Sequence, residues 1–127
     1  TQRNLNQQGI EQSILLGKIF QDNNISFDKV YSSQWCRCID TAQYAFGEYQ
    51  ELNLLNSTFS HNYQKNHLRQ MKELKKLIFN LKEDHGNIIF ITHYVIIAGL
   101  LDYYPNSGEI VIADKSLKVL GSIKTSY

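Results

Sequence analysis

Two polar segments of this 127-residue sequence contain side chains suited to binding an anion. Arg37 comes shortly after the serine pair Ser32-Ser33, and His93 follows Thr92 at the end of a strongly apolar run. A guanidinium presents a fork of N–H donors that matches phosphate oxygens, and an imidazole can hydrogen-bond to the same oxygens. Phosphate binding or phosphoryl transfer is therefore one chemistry that both segments could perform.

A structural role is the alternative for each of these residues. Arg37 could pair with a surface carboxylate, and His93 could be a buried ring hydrogen-bonded to the backbone. The helix dipole destabilises a cation in the first turn of a helix by about 0.3–1 kcal/mol. An anion bound at the same place would make the interaction favourable. Spacing alone leaves both interpretations open.

The hydrophobic pattern predicts the elements that would position these residues. Helices are predicted over 5–20, 34–46, 65–84 and 94–101, and strands over 28–31, 87–91, 109–113 and 117–123. Asn6 is the expected N-cap of the first helix, Ser32 or Ser33 that of the second, and Gly47 the expected end of the second. Residues 48–64 are polar and aperiodic, which predicts a long loop with at most a short strand.

Two further patterns concern the core. The third predicted helix carries one apolar stripe, formed by Leu68, Met71, Leu74, Leu77, Ile78 and Leu81. The uninterrupted apolar run 88–91 is typical of a central strand. We therefore expect one α/β domain over 1–127, with a mixed, mostly parallel sheet and helices on both faces. The candidate residues follow strand ends, where open α/β sheets bind their ligands.

Composition excludes several classes of function. With a net charge of +1 and 43% hydrophobic residues, the chain has neither the basic excess of a nucleic-acid-binding protein nor a run long enough to span a membrane. Cys36 and Cys38 are poorly spaced for a mutual disulfide and lack partners at zinc-site spacing. Neither a metal nor another cofactor is expected.

Because the sequence starts with Thr1 and not Met, we expect a processed product or part of a longer chain, with export to a bacterial periplasm favoured over the cytoplasm.

Four segments together resemble the histidine phosphatase (phosphoglycerate-mutase-like) superfamily. They are 3–12 (RNLNQQGIEQ), 32–42 (SSQWCRCIDTA), Thr92-His93 and Ser107-Gly108-Glu109. The resemblance implies a three-layer α/β sandwich. It also implies that Arg37 clamps a phosphate and that His93 is the family's second histidine. Ser33 and Tyr94 are minor site candidates.

The resemblance also implies a histidine nucleophile in an Arg-His-Gly-like motif at the end of a first strand. No Arg-His pair occurs in this sequence, so we expect that strand and its nucleophile to lie outside it and the chain as given to be inactive. Without that strand, two neighbouring strands would present unpaired edges.

The expected function is that of a phosphatase acting on a phosphomonoester or a phosphohistidine, in a small molecule or a phosphoprotein, through a phosphohistidine intermediate. A non-catalytic relative that binds phosphate or a phosphoprotein is the alternative. Loop 52–59 contains no carboxylate to act as a general acid, and Tyr94 follows His93 where other members have aspartate, so we favour a small phosphatase over a mutase. His61, His67 and His85 are expected to be solvated.

Overall fold

A computed structural model describes residues 5–58, 63–82 and 86–125. The helices are α1 (Gln7–Asp22), α2 (Cys36–Phe46), α3 (Tyr63–Phe79) and α4 (Tyr94–Leu101), with a 3-10 turn over Asn53–Leu55. The strands are β1 (Phe27–Ser32), β2 (Gln50–Glu51), β3 (Asn87–Ile91), β4 (Glu109–Ala113) and β5 (Val119–Lys124). The predicted α/β class is confirmed. No helix in the described ranges is both long enough and apolar enough to cross a bilayer.

Local capping explains where the first two helices begin and end. The Asn6 side chain accepts a hydrogen bond from the Gly9 N–H at 2.8 Å, as predicted for an N-cap. Gly47 ends α2 with φ of 74°, a left-handed conformation that glycine adopts without steric cost. The predicted start of α2 is wrong, because the helix begins at Cys36 with Trp35 in the N-cap position. The Ser33 hydroxyl accepts a hydrogen bond from the Trp35 N–H at 3.2 Å. Its other hydrogen bonds are to residues outside the helix.

Three parallel strands form the first sheet, in the order β2-β1-β3. The chain moves from β1 to β2 in one direction and from β2 to β3 in the opposite one. Right-handed crossovers therefore place α2 and α3 on opposite faces of the sheet. This topology also brings the carboxyl ends of β1 and β3 side by side, since Ser32 is in register with Ile91.

The buried core lies on the α3 side of this sheet. Met71, Leu74 and Ile78 of α3 pack with Leu55 and Ile96, and all five side chains are buried. The predicted stripe of α3 is correct from Met71 onward and wrong at Leu68, which is 69% exposed because the core begins one turn further along the helix.

On the other face, α1 lies very close to α2. Gly17 of α1 is buried, and a Cβ atom built on it would lie 2.1 Å from the carbonyl oxygen of Ala45. The two helices can therefore keep this distance only if residue 17 has no side chain. Beside this contact, the rings of Phe20, Phe27 and Phe46 pack edge to face.

A second sheet consists of the antiparallel hairpin β4-β5. The predicted turn at 114–116 is present, and the Asp114 carboxylate accepts from the backbone N–H groups of Ser116 and Lys118, each at 3.0 Å. In the described residues no ladder joins β3 to β4. The predicted mixed sheet is therefore present in two parts, and β3 and β4 are the two strands that present the expected unpaired edges.

A cavity of about 800 Å³, which we call the interstrand cleft, lies between β3 and β4. Every residue of both strands lines it, and side chains of α1 and α4 close its two faces. β3 pairs only with β1, and β4 only with β5, among the described residues. Each strand therefore turns an edge without ladder hydrogen bonds toward the cleft. The partial exposure of Ile88, Ile89 and Ile91, predicted to lie in a central strand, follows from this arrangement.

Candidate active site

His93 lies at the junction between β3 and α4. It has extended backbone angles, φ −114° and ψ 156°, and it is the N-cap residue of α4. Its side chain makes no capping hydrogen bond, so the imidazole is available for other contacts. The ring is only 6% exposed and is held by residues of the junction between β1 and α2.

Three side chains of that junction surround the imidazole. The Ser33 hydroxyl oxygen lies 2.9 Å from His93 Nε2, and the Cys38 Sγ lies 3.7 Å from the same nitrogen. The Trp35 ring packs edge-on against the imidazole, with 4.7 Å between ring centroids. Burial raises the pKa of the Cys38 thiol, although the Ser33 hydrogen bond and the charge of Arg37 oppose that rise. Cys38 is therefore an uncharged packing partner of the histidine.

Arg37 reaches the other side of the same ring. Its Nη2 atom lies 3.5 Å from His93 Nδ1, and its guanidinium carbon lies 5.7 Å from the centroid of the Trp35 ring. The side chain is exposed, and Arg37 and His93 both line the interstrand cleft. The structure thus brings the two principal site residues of the sequence analysis together at one edge of the sheet.

A second, polar cavity of about 580 Å³ adjoins Arg37. Its other walls are the first turn of α1 and the ends of the hairpin, including Lys124 and Glu109. The Glu109 carboxylate accepts hydrogen bonds from the Tyr103 hydroxyl and the Asn106 N–H, and these contacts lower its pKa. At neutral pH this cavity therefore contains two cations and one ionised carboxylate.

The minor site candidates occupy different positions. Ser33 is fully buried against His93. Tyr94 is 57% exposed at the start of α4 and lies beside the Tyr104 ring, with 6.3 Å between centroids. It also lines the interstrand cleft. Of the two, Ser33 is therefore the one that bonds directly to a principal site residue.

The other histidines do not join this cluster in the described residues. His67 is partly buried in α3, where its Nδ1 lies 2.8 Å from the Thr58 hydroxyl, so the expectation that it is solvated is wrong. Residues 61 and 85, also expected to be solvated, lie outside the described ranges. Glu48 and Glu51, the carboxylates that precede loop 52–59, are both exposed.

Sequence reasoning missed Asn56 as part of the site. Its side chain reaches back from the loop after β2 to Ser33 and Gln34. It lies in the aperiodic segment 48–64, where hydrophobic pattern carries no information about contacts. The position of Cys38 was also missed. A cysteine near the start of a helix gives no indication of a contact with His93, because that contact depends on how the helix packs.

His93 should make stability depend on pH. Burial, followed by the charge of Arg37, lowers its pKa from 6.5 to about 4. The folded state keeps the ring neutral, whereas the unfolded chain takes up a proton below about pH 6.5, so stability falls as pH drops toward 4. The expected loss of unfolding free energy from this group is about 2 kcal/mol between pH 7 and 5. Urea unfolding at the two pH values measures it.

The matched control is His93→Gln, which cannot titrate in this range. Its pH dependence should lack that component of about 2 kcal/mol while retaining the part due to carboxylates. An identical pH dependence in the variant and the parent would mean that the imidazole is protonated equally in both states.

Comparisons with known proteins concern the family and the fold of this chain. The family model of the histidine phosphatase superfamily (branch 1) matches residues 1–57. No curated protein matches the sequence. The solved structure of the protein histidine phosphatase SixA, complexed with tungstate, has a TM-score of 0.69 at 16% identity over 97% of this chain and 85% of that one.

Two further structures share the fold. Phosphoglycerate mutase from Thermus thermophilus has a TM-score of 0.68 at 17% identity, over 99% of this chain and 87% of that one. A mutant phosphoserine phosphatase from Entamoeba histolytica, in complex with phosphoserine, has a TM-score of 0.59 at 21% identity, over 85% and 72%. The family model thus matches the first 57 residues of this chain, and the chain shares the phosphoglycerate-mutase-like fold of the solved structures.

Proposed function

We propose that the protein is a phosphatase that hydrolyses a phosphomonoester or a phosphohistidine through a phosphohistidine intermediate. The nucleophilic histidine of this proposal lies outside residues 1–127. A single observation carries the proposal: the Arg37 guanidinium and the His93 imidazole meet, 3.5 Å apart, where β1 and β3 end. A transferring phosphoryl group spreads negative charge over its oxygens, and fixed donors around it lower the barrier.

The interstrand cleft supports the idea of an additional strand. An extended segment lying between β3 and β4 could pair with both unpaired edges and bury its side chains against α1 and α4. If it ran parallel to β3, its last residues would emerge beside His93. A histidine at that position would be next to the proposed phosphate site.

The reaction proceeds in two displacements. A ring nitrogen of the nucleophile attacks phosphorus, a P–N bond forms, and the leaving group departs with the electron pair of its bond to phosphorus. Water then attacks the same phosphorus, the P–N bond breaks, and inorganic phosphate is released. Arg37 and His93 stabilise the phosphoryl oxygens in both steps.

The charges around the polar cavity favour substrates with good leaving groups. Glu109 is the carboxylate that lines this cavity, and its lowered pKa keeps it ionised near neutral pH. An ionised carboxylate cannot donate a proton to a departing oxygen. This favours phosphohistidine or an activated ester as the substrate over an alkyl phosphomonoester, whose alkoxide leaving group needs a proton.

Hydrolysis of p-nitrophenyl phosphate by the protein expressed from its intact gene tests the proposal. We expect turnover, together with an acid-labile, alkali-stable phosphoenzyme when the reaction is quenched. His93→Gln should retain the fold and lose most of the turnover. Turnover without that intermediate would contradict the phosphohistidine mechanism.

The lack of an Arg-His pair in the sequence favours a second candidate, a non-catalytic protein that binds phosphate or a phosphoprotein. Binding of phosphate at the Arg37 site, with no hydrolysis by the intact gene product, would support this alternative over the phosphatase. If phosphate neither binds nor is released, both candidates fail.

A further inference from the structure

The orientation of the Asn56 side chain follows from a backbone contact. The Asn56 Oδ1 atom lies 2.8 Å from the Gln34 backbone nitrogen, and a backbone N–H can only donate. The Asn56 Nδ2 atom in turn donates to the Gln34 side-chain oxygen at 2.9 Å. The amide therefore turns its oxygen, and not its NH₂ group, toward Ser33.

The direction of the Ser33 hydrogen bonds is then determined. Ser33 Oγ lies 3.0 Å from Asn56 Oδ1, so the single hydroxyl proton of Ser33 points to Asn56. The same oxygen accepts from the Trp35 N–H at 3.2 Å. Toward His93 Nε2, at 2.9 Å, only a lone pair of Ser33 remains. A contact of this length between two heteroatoms needs one proton, which His93 must supply.

We propose that Asn56 and Ser33 fix His93 in the tautomer that carries its proton on Nε2. Ser33 is fully buried and His93 is 6% exposed, so water does not compete for these bonds. The Nδ1 lone pair then faces the Arg37 guanidinium, which can only donate. Each of these hydrogen bonds then has one donor and one acceptor, and the Cys38 thiol, 3.7 Å from the same Nε2, has the Thr92 carbonyl oxygen as its acceptor at 3.9 Å. Ser33 and Asn56 are thus positioning residues that act through His93.

The consequence for catalysis rests on the proposed function. With this tautomer His93 offers a lone pair, and not an N–H group, on the side of Arg37. To donate a hydrogen bond to a phosphoryl oxygen from Nδ1, the ring must first take up a proton there. Within the part of the chain that the structure describes, the polar side chains in contact with the ring are Arg37 and Cys38 on α2 and Ser33 before it, and none of them is a carboxylate that could supply that proton. The proton therefore comes with the phosphoryl substrate or from solvent.

A long-range ¹H–¹⁵N spectrum of the full-length, ¹⁵N-labelled protein at pH 7.5 tests the tautomer, with His93→Gln identifying the signals. We expect a pyrrole-type Nε2 and a pyridine-type Nδ1 at His93, with the Nε2 proton exchanging slowly with water. Ser33→Ala should speed that exchange at least about tenfold, the loss expected for one buried hydrogen bond of about 1.4 kcal/mol.

Asn56→Asp is the matched variant, because a carboxylate at position 56 still accepts from both Ser33 and Gln34. It should keep the parental tautomer and slow exchange. A proton on Nδ1 in the parent protein would overturn the proposal even if Ser33→Ala failed to fold. Equal exchange rates in Ser33→Ala and the parent would also overturn it. These readouts do not depend on turnover, so the phosphatase proposal can fail while the tautomer assignment holds.

Discussion

Replacing Arg37 with alanine should weaken the binding of inorganic phosphate, or of its analogue tungstate, by about ten- to a hundredfold. A hydrogen bond to a charged group contributes about 1.5–3 kcal/mol, and each 1.4 kcal/mol is a factor of ten in affinity. The guanidinium is next to both the interstrand cleft and the polar cavity, so its loss removes the principal donor from either. Isothermal titration of the protein with phosphate at fixed ionic strength measures the change.

Arg69→Ala provides the matched control. Arg69 is exposed on α3 and lines neither cavity, so its replacement removes the same charge from a different surface. We expect its effect on affinity to stay within about twofold, because exposed charges at a distance are screened by salt. Arg37→Lys should recover only part of the loss, since an ammonium cannot form the paired contacts of a guanidinium. Similar losses in Arg37→Ala and Arg69→Ala would exclude Arg37 from the binding site.

Replacing Gly17 with valine should lower the free energy of unfolding by about 3 kcal/mol, the upper end of the usual cost of overpacking. Even the Cβ atom would lie 2.1 Å from the Ala45 carbonyl oxygen, and a backbone atom of a packed helix cannot move aside as a side chain can. Helices α1 and α2 would have to separate, opening the contacts among Phe20, Phe27 and Phe46. Thermal or urea unfolding measures the loss.

Gly121→Val is the control for this substitution. Gly121 lies in β5, and a Cβ built there meets no heavy atom within 4 Å. Valine also has a higher strand propensity than glycine, so stability at position 121 should be unchanged or slightly raised. Equal destabilisation at both positions would show that the cost comes from glycine's backbone freedom and not from the contact between α1 and α2.

Two consecutive elements were predicted accurately from the sequence, whereas the strongly periodic α3, predicted over 65–84, spans Tyr63–Phe79. β3 and α4 have the predicted bounds, 87–91 and 94–101, because an uninterrupted apolar run is followed by a polar residue that starts a helix. The position of Arg37 and His93 at neighbouring strand ends was inferred from the same pattern and from the resemblance. Their contact follows from the strand order β2-β1-β3, which places β1 directly beside β3.

Contacts made by side chains from irregular segments could not be predicted in this way. Ser33 has the residue type of an N-cap, yet it bonds to His93 because the fold brings a buried imidazole within 2.9 Å. Asn56 lies in a loop whose conformation depends on tertiary contacts such as those of Gln70, which donates to the backbone carbonyls of Leu54 and Asn56. Such partners are distant in the sequence, so local sequence preference does not predict them.

The β4-β5 hairpin is attached to the rest of the described chain in an unusual way. Its ends are held by side-chain hydrogen bonds, from Gln12 to the Thr125 carbonyl and from Lys115 to the Leu81 carbonyl. A backbone ladder joins two strands along their whole length, whereas these side-chain hydrogen bonds join the hairpin to the rest of the chain at separate points. Among the described residues, the spacing between the hairpin and the parallel sheet therefore depends on side-chain contacts, and Arg37 and Glu109 line the polar cavity between them. Gln12 and Thr125, which form one of these tethers, also line the polar cavity, so the hydrogen bond that holds the hairpin also fixes part of the cavity wall.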